Sequence, residues 1–80
     1  MDAVEQLREA RTIAEIAYRP GHWRRIAYRI DLAAATRRLG LPDEVTLTTG
    51  ELDELAAELG SGNDRVREGR RLIESRPADR

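Results

Sequence analysis

Three breaks rich in glycine and proline divide this chain into four segments in which apolar residues recur at helical spacing. The breaks are "RPG" at 19–21, "GLP" at 40–42 and "GSG" at 60–62. Proline cannot continue a helix without losing a backbone hydrogen bond, and glycine adopts turn conformations at little steric cost. Each break therefore ends one helix and precedes the next. The pattern predicts an all-α, small four-helix domain.

The apolar spacing between these breaks predicts helices at about 2–18, 22–39, 49–59 and 64–75. They form one domain over 1–76, followed by a frayed tail at 77–80. In the first helix the inward stripe is predicted to hold Val4, Leu7, Ala10, Ala14 and Ala17, widened by Ile13 and Ile16. In the second helix the inward face is predicted to hold Ile26, Ala27, Ile30, Ala33 and Ala34.

The third helix has the clearest start in the sequence. Thr48 and Glu51 have the spacing of a capping box, and Leu47 and Leu52 flank them as a hydrophobic staple. The inward residues of this helix are predicted to be Leu52, Leu55, Ala56 and Leu59.

The fourth helix has a weaker pattern. It is predicted to begin at an N-cap formed by Asn63 or Asp64. Gly69 in its middle costs about 1 kcal/mol relative to alanine, so either the helix bends there or another element packs close to the backbone.

Composition argues against several classes of protein. The 80 residues contain no cysteine and a single histidine, His22, which we expect to cap a helix. The sequence has no phosphate-binding loop and no nucleophile motif, so we predict no enzyme activity, no metal site and no cofactor. No apolar run approaches the roughly 20 residues of a membrane span, and we expect a cytoplasmic protein with no membrane partner.

Charge alternates along the chain in blocks, although the net charge is only −1. Residues 19–40 hold six arginines and one aspartate, which gives +5, and the six carboxylates of 41–60 give −6. Such blocks either neutralise one another across helix contacts or leave a basic face opposite an acidic one. The sequence leaves both arrangements open.

Ala56, Gly60 and Val66 have the spacing of a small residue, a turn glycine and an apolar anchor in two consecutive helices. Residues 51–73 thereby resemble the helix-turn-helix of bacterial or phage transcription regulators. The resemblance implies a small regulatory protein that binds double-stranded DNA, with the fourth helix as its recognition helix. It places Asn63, Asp64, Arg65 and Arg67 near the major groove and Arg70 and Arg71 near phosphates, and Arg24 and Arg25 of the second helix would add backbone contacts.

The alternative is a helical protein-interaction or assembly module that binds a partner protein or itself through charged helix faces. Its contact residues would be Glu51, Glu54 and Glu58, which lie along one helical face, together with Trp23. Trp23 has a second interpretation as a core residue in a chain that lacks phenylalanine. The DNA-binding regulator would be compatible with a homodimer formed through the first helix, whereas the interaction module would pair the acidic third helix and the arginine-rich second helix with a partner or another copy.

Overall fold

The computed structural model describes residues 2–75, and these residues form four α-helices and no β-strand. The helices are α1 (Ala3–Ala17), α2 (Trp23–Arg38), α3 (Thr49–Leu59) and α4 (Asp64–Glu74). The segment 41–48 between α2 and α3 is irregular, so the small all-α architecture predicted from the sequence is confirmed. The predicted frayed tail at 77–80 lies outside the described residues.

Each helix begins at a side chain that accepts a hydrogen bond from a backbone N–H of the first turn. The caps are Asp2, His22, Thr48 and Asn63. Thr48 and Glu51 form the predicted capping box in both directions. A cap satisfies N–H groups that have no partner inside the helix, so these side chains fix where the helices begin.

The end of α2 is fixed by Gly40, whose φ of +70° favours glycine. The N–H of Leu41 donates to the carbonyl of Thr36 at 2.9 Å, and the N–H of Gly40 donates to the carbonyl of Arg37 at 3.1 Å. These two bonds form a Schellman motif. The chain therefore turns away from α2 where the sequence predicts it.

The centre of the fold is α2. This helix packs against α1, α3 and α4, and α3 and α4 also pack against each other. A helix with neighbours on several sides must bury more than one stripe. The single inward face predicted for α2 is therefore too narrow, because the structure also buries Leu32, Ala35 and Thr36.

The main core lies between α2, α3 and α4. The staple residues Leu47 and Leu52 are both buried in it. Gly69 is buried as well, and a Cβ atom there would lie 2.5 Å from Cδ1 of Leu52 and 3.0 Å from Cδ1 of Ile30. The glycine in the middle of α4 thus marks a close approach of packed helices, which is one of the two alternatives that the sequence leaves open.

The outer face of α1 is more exposed than the sequence predicts. Val4 and Ala14 are buried, but Ile13 and Ile16 are 58% and 83% exposed, and Ala17 is exposed too. Among the described helices, α1 packs only against α2. One neighbour covers one stripe, and Ile16 lies about 160° around the helix axis from Ala14. The two isoleucines therefore face away from the core.

Candidate interaction surfaces

A cleft of about 500 Å³ separates the turn between α1 and α2 from the exposed side of α3. We call it the Trp23 cleft. One wall is formed by Arg19, Pro20, Gly21, His22 and Trp23, and the other by Glu54, Ala57 and Glu58. The structure thus brings three of the four residues predicted for partner binding to one place.

Trp23 is held by a ladder of rings. The rings of Tyr18 and His22 stack at 4.6 Å between centroids, and those of His22 and Trp23 at 5.9 Å. The Arg24 guanidinium lies 5.0 Å from the centroid of Trp23, and its Nη1 donates to the Tyr18 hydroxyl at 3.2 Å. Arg25 donates to the Tyr18 carbonyl at 3.4 Å. Both arginines predicted to contact DNA from α2 are thus engaged within the fold.

His22 has a structural task at this cleft. Its Nδ1 accepts the backbone N–H of Arg24 at 3.1 Å, which caps α2. Trp23 is the first residue of that helix, and it is half-buried against the main core. The tryptophan therefore combines the two interpretations that the sequence leaves open: it packs on the core with part of its surface and lines the cleft with the rest.

The acidic residues of α3 divide into two groups. The Glu51 carboxylate accepts the backbone N–H of Thr48 at 3.0 Å and forms an ion pair with Arg29 of α2. Glu54 and Glu58 are exposed and form no ion pair with any residue in the described part of the chain. Glu51 is therefore a structural residue, whereas the other two carboxylates remain available at the cleft.

Two of the arginines predicted to contact DNA from α4 are paired with neighbouring helices. Arg65 Nη2 lies 2.9 Å from Asp31 Oδ2 of α2, and Arg70 Nη2 lies 3.1 Å from Asp53 Oδ1 of α3. Partly exposed ion pairs of this kind contribute about 0–1 kcal/mol each, so a stronger anion could displace them. In this arrangement their charge is balanced locally.

The outward face of α4 carries charges of both signs. Asn63 caps the helix through Oδ1, which accepts the N–H of Arg65 at 2.8 Å. Arg67 is exposed and has no ion-pair partner among residues 2–75, and Arg71 lies 3.8 Å from Glu68. The exposed positions at helical spacing on this face are Asp64, Arg67, Arg71 and Glu74. Two positive and two negative side chains give this face no excess of positive charge.

An ion pair away from the cleft joins α1 to the segment before α3. The Nε of Arg8 donates to both carboxylate oxygens of Glu44, at 2.8 and 2.9 Å. These hydrogen bonds hold the pKa of Glu44 below its usual value and raise the pKa of Arg8. Like the pairs on α4, this contact links two separate segments of the chain.

The chemistry that this surface offers is recognition by charge and by an aromatic ring. Within residues 2–75 no three side chains of the metal-binding types are grouped closely enough to hold a metal ion. In the same residues, every helix is too short or too polar to span a bilayer.

The sequence analysis did not single out Arg19, which lines the Trp23 cleft opposite the acidic wall. The available signal was its position in the "RPG" turn, next to Tyr18 and close to His22 and Trp23 in sequence.

Comparison with known protein families, curated proteins and solved structures finds no match to this chain.

Proposed function

We propose that this chain is a protein-interaction module that binds a basic segment of a partner protein in the Trp23 cleft. The observation that carries the proposal is the joint placement of Glu54 and Glu58 opposite Trp23. Both carboxylates are exposed and without an ion pair in the described part of the chain, so they can pair with a cation at no cost in internal contacts.

Arginine is the side chain that fits this combination of groups. Its guanidinium is planar and weakly hydrated, donates to carboxylates in pairs of hydrogen bonds and stacks on aromatic rings. Glu54 and Glu58 lie one helical turn apart and would accept from the same or from neighbouring arginines. Arg19 on the facing wall repels a second cation there, so it orients the bound segment toward α3.

The test uses Trp23, which is the only tryptophan of the chain, as a fluorescent reporter. We expect a peptide of alternating arginine and glycine to change its emission with a saturable dose dependence that weakens in salt. The double variant Glu54→Gln/Glu58→Gln removes both carboxylates that would pair with the peptide. We expect it to weaken peptide binding about tenfold or more, which corresponds to a loss of about 1.4 kcal/mol or more in binding free energy.

The matched control is Asp64→Asn/Glu74→Gln, which also removes two negative charges, but from the exposed face of α4. If this control weakens peptide binding as much as the cleft variant does, the attraction is nonspecific and the proposal fails. An unchanged emission with the unmodified chain leads to the same conclusion.

A second candidate is DNA binding through α3 and α4. What favours it is Arg67, an unpaired and exposed arginine one turn after the glycine turn that joins the two helices. Titration with mixed-sequence duplex at low salt should then show binding, with a shallower salt dependence in Arg67→Gln/Arg71→Gln. Absence of binding rejects this candidate. Arg19→Gln/Arg38→Gln, which removes two arginines from other segments, is its control.

A further inference from the structure

His22 is the only histidine of the chain, and it lies in the wall of the Trp23 cleft. Its ring stacks on those of Tyr18 and Trp23, and its Nδ1 accepts the backbone N–H of Arg24 at 3.1 Å. Nδ1 can accept this hydrogen bond only while it carries no proton. The ring is only partly buried, so a proton from solvent can reach it. Imidazole is also the side chain that ordinarily gains a proton between pH 8 and pH 5.

The acidic wall of the cleft comes close to this histidine. Glu54 Oε2 lies 3.9 Å from the position that a Cβ atom would occupy on Gly21, the residue before His22. Glu54 and Glu58 line the cleft opposite His22 and have no ion pair among residues 2–75. A positive charge on the imidazole would therefore find two unpaired carboxylates in the same cleft.

The charges on the other sides of the ring are positive. They lie in the turn after α1 and in the first turn of α2, and they belong to Arg19, Arg24 and Arg25. The first turn of a helix carries a partial positive charge as well. The remaining titratable neighbour is Tyr18, whose ring stacks on His22. A protonated imidazole is thus repelled where the neutral ring lies and attracted by the carboxylates of α3.

We propose that His22 is a pH-dependent switch of the Trp23 cleft. When it is protonated, the ring loses its hydrogen bond to α2 and moves toward Glu54 and Glu58, the carboxylates that would otherwise bind the partner's arginine. The proton and the arginine then compete for the same carboxylates, so each weakens the binding of the other. The effect on binding rests on the proposed function of the cleft, whereas the movement of the ring does not.

The direction of the pH dependence follows from this competition. The cleft should bind a basic segment at pH 7.5 and release it as the pH falls toward 5.5. This range lies above the one in which carboxylates ordinarily gain protons. A loss of affinity within it therefore reports on the imidazole.

Nuclear magnetic resonance on the free chain tests the movement of the ring without any ligand. At pH 7.5 the nuclear Overhauser effects of the His22 ring should reach the ring of Tyr18. At pH 5.5 they should be replaced by effects to the side chain of Glu54. Unchanged ring contacts at the two pH values overturn the proposal.

Peptide binding at the two pH values tests the competition. The peptide of alternating arginine and glycine should bind the unmodified chain at least about five times more weakly at pH 5.5 than at pH 7.5. The matched variants are His22→Asn and His22→Ser, because both new side chains cap a helix and neither titrates in this range. Each variant should bind the peptide equally at the two pH values.

A loss of affinity at pH 5.5 that persists in both variants overturns the proposal, because the proton would then act elsewhere. A peptide that binds the unmodified chain at neither pH rejects the proposed function of the cleft. The ring contacts of His22 then decide by themselves whether the switch exists, so the two failures are distinguishable.

Discussion

Gly69 is the position in α4 where the absence of a side chain matters most. The glycine lies mid-helix, where it costs about 1 kcal/mol in helix propensity, and it faces Ile30 of α2 and Leu52 of α3. Both neighbours are fully buried, so neither can move into solvent to accommodate a methyl group. Close contact among three helices therefore outweighs the propensity cost at this residue.

We predict that Gly69→Ala lowers the free energy of unfolding by about 1 kcal/mol. The gain in helix propensity is about 1 kcal/mol, and overpacking a buried site costs about 1–3 kcal/mol. Urea unfolding followed by circular dichroism measures the difference. Because the nearest atom is Cδ1 of Leu52, we expect Leu52→Val to be less harmful in the Gly69→Ala background than in the unmodified chain.

Gly50 provides the control, because it lies in the first turn of α3 and a Cβ there meets only Thr48 Oγ1 at 4.0 Å. Gly50→Ala should therefore stabilise the fold by up to about 1 kcal/mol. If both alanine variants shift stability in the same direction, packing at Gly69 is not the reason for its glycine.

At the scale of the helices, what could be predicted from the sequence is what local chemistry determines. The start of α3 follows from Thr48 and Glu51, which are three residues apart and need no other part of the chain to form their capping box. The end of α2 follows from Gly40 in the same way.

Burial and pairing between helices could not be predicted in this way. Ile13 and Ile16 fit a widened stripe on α1, but whether a stripe is covered depends on how many helices pack there. The pairing of Arg65 with Asp31 joins residues 34 apart in sequence. The Trp23 cleft likewise arises from the packing of two segments, and so its residues could be predicted only one by one.

We predict that the start of α3 responds to its cap and to its ion pair separately. Thr48→Ala removes the N-cap and should cost about 1 kcal/mol of unfolding free energy, whereas Thr48→Ser retains it. Glu51→Gln retains an acceptor for the N–H of Thr48 but loses the charge that pairs with Arg29, so it should cost less than Glu51→Ala. Thermal unfolding measures all four variants. Equal losses for Glu51→Gln and Glu51→Ala would contradict the assigned role of the cap.

At the scale of the whole molecule, ion pairs between segments join arginines of the basic blocks to carboxylates of the acidic blocks. Arg29 pairs with Glu51, Arg37 with Asp43 and Arg70 with Asp53. The basic residues of α2 and α4 are thus partly neutralised by carboxylates of the acidic block at 41–60. Among residues 2–75, the charged side chains without an ion pair include Glu54 and Glu58 at the Trp23 cleft, Glu9 on α1 and Arg67 on α4.

Buried residues are distributed unevenly among the helices, and from this we predict which helix opens locally at the lowest free energy. Seven residues of α2 are buried, compared with two of α1, and α1 packs against α2 alone among the described helices. Because local opening breaks the contacts of the opening segment only, α1 should open at a lower free energy than α2. Hydrogen exchange of a dilute sample should show faster exchange in α1, and Glu44→Gln, which weakens the contact with Arg8, should accelerate α1 while leaving α2 unchanged. Equal protection of α1 and α2 in the dilute sample would mean that the fold opens as one unit, contrary to the packing seen here.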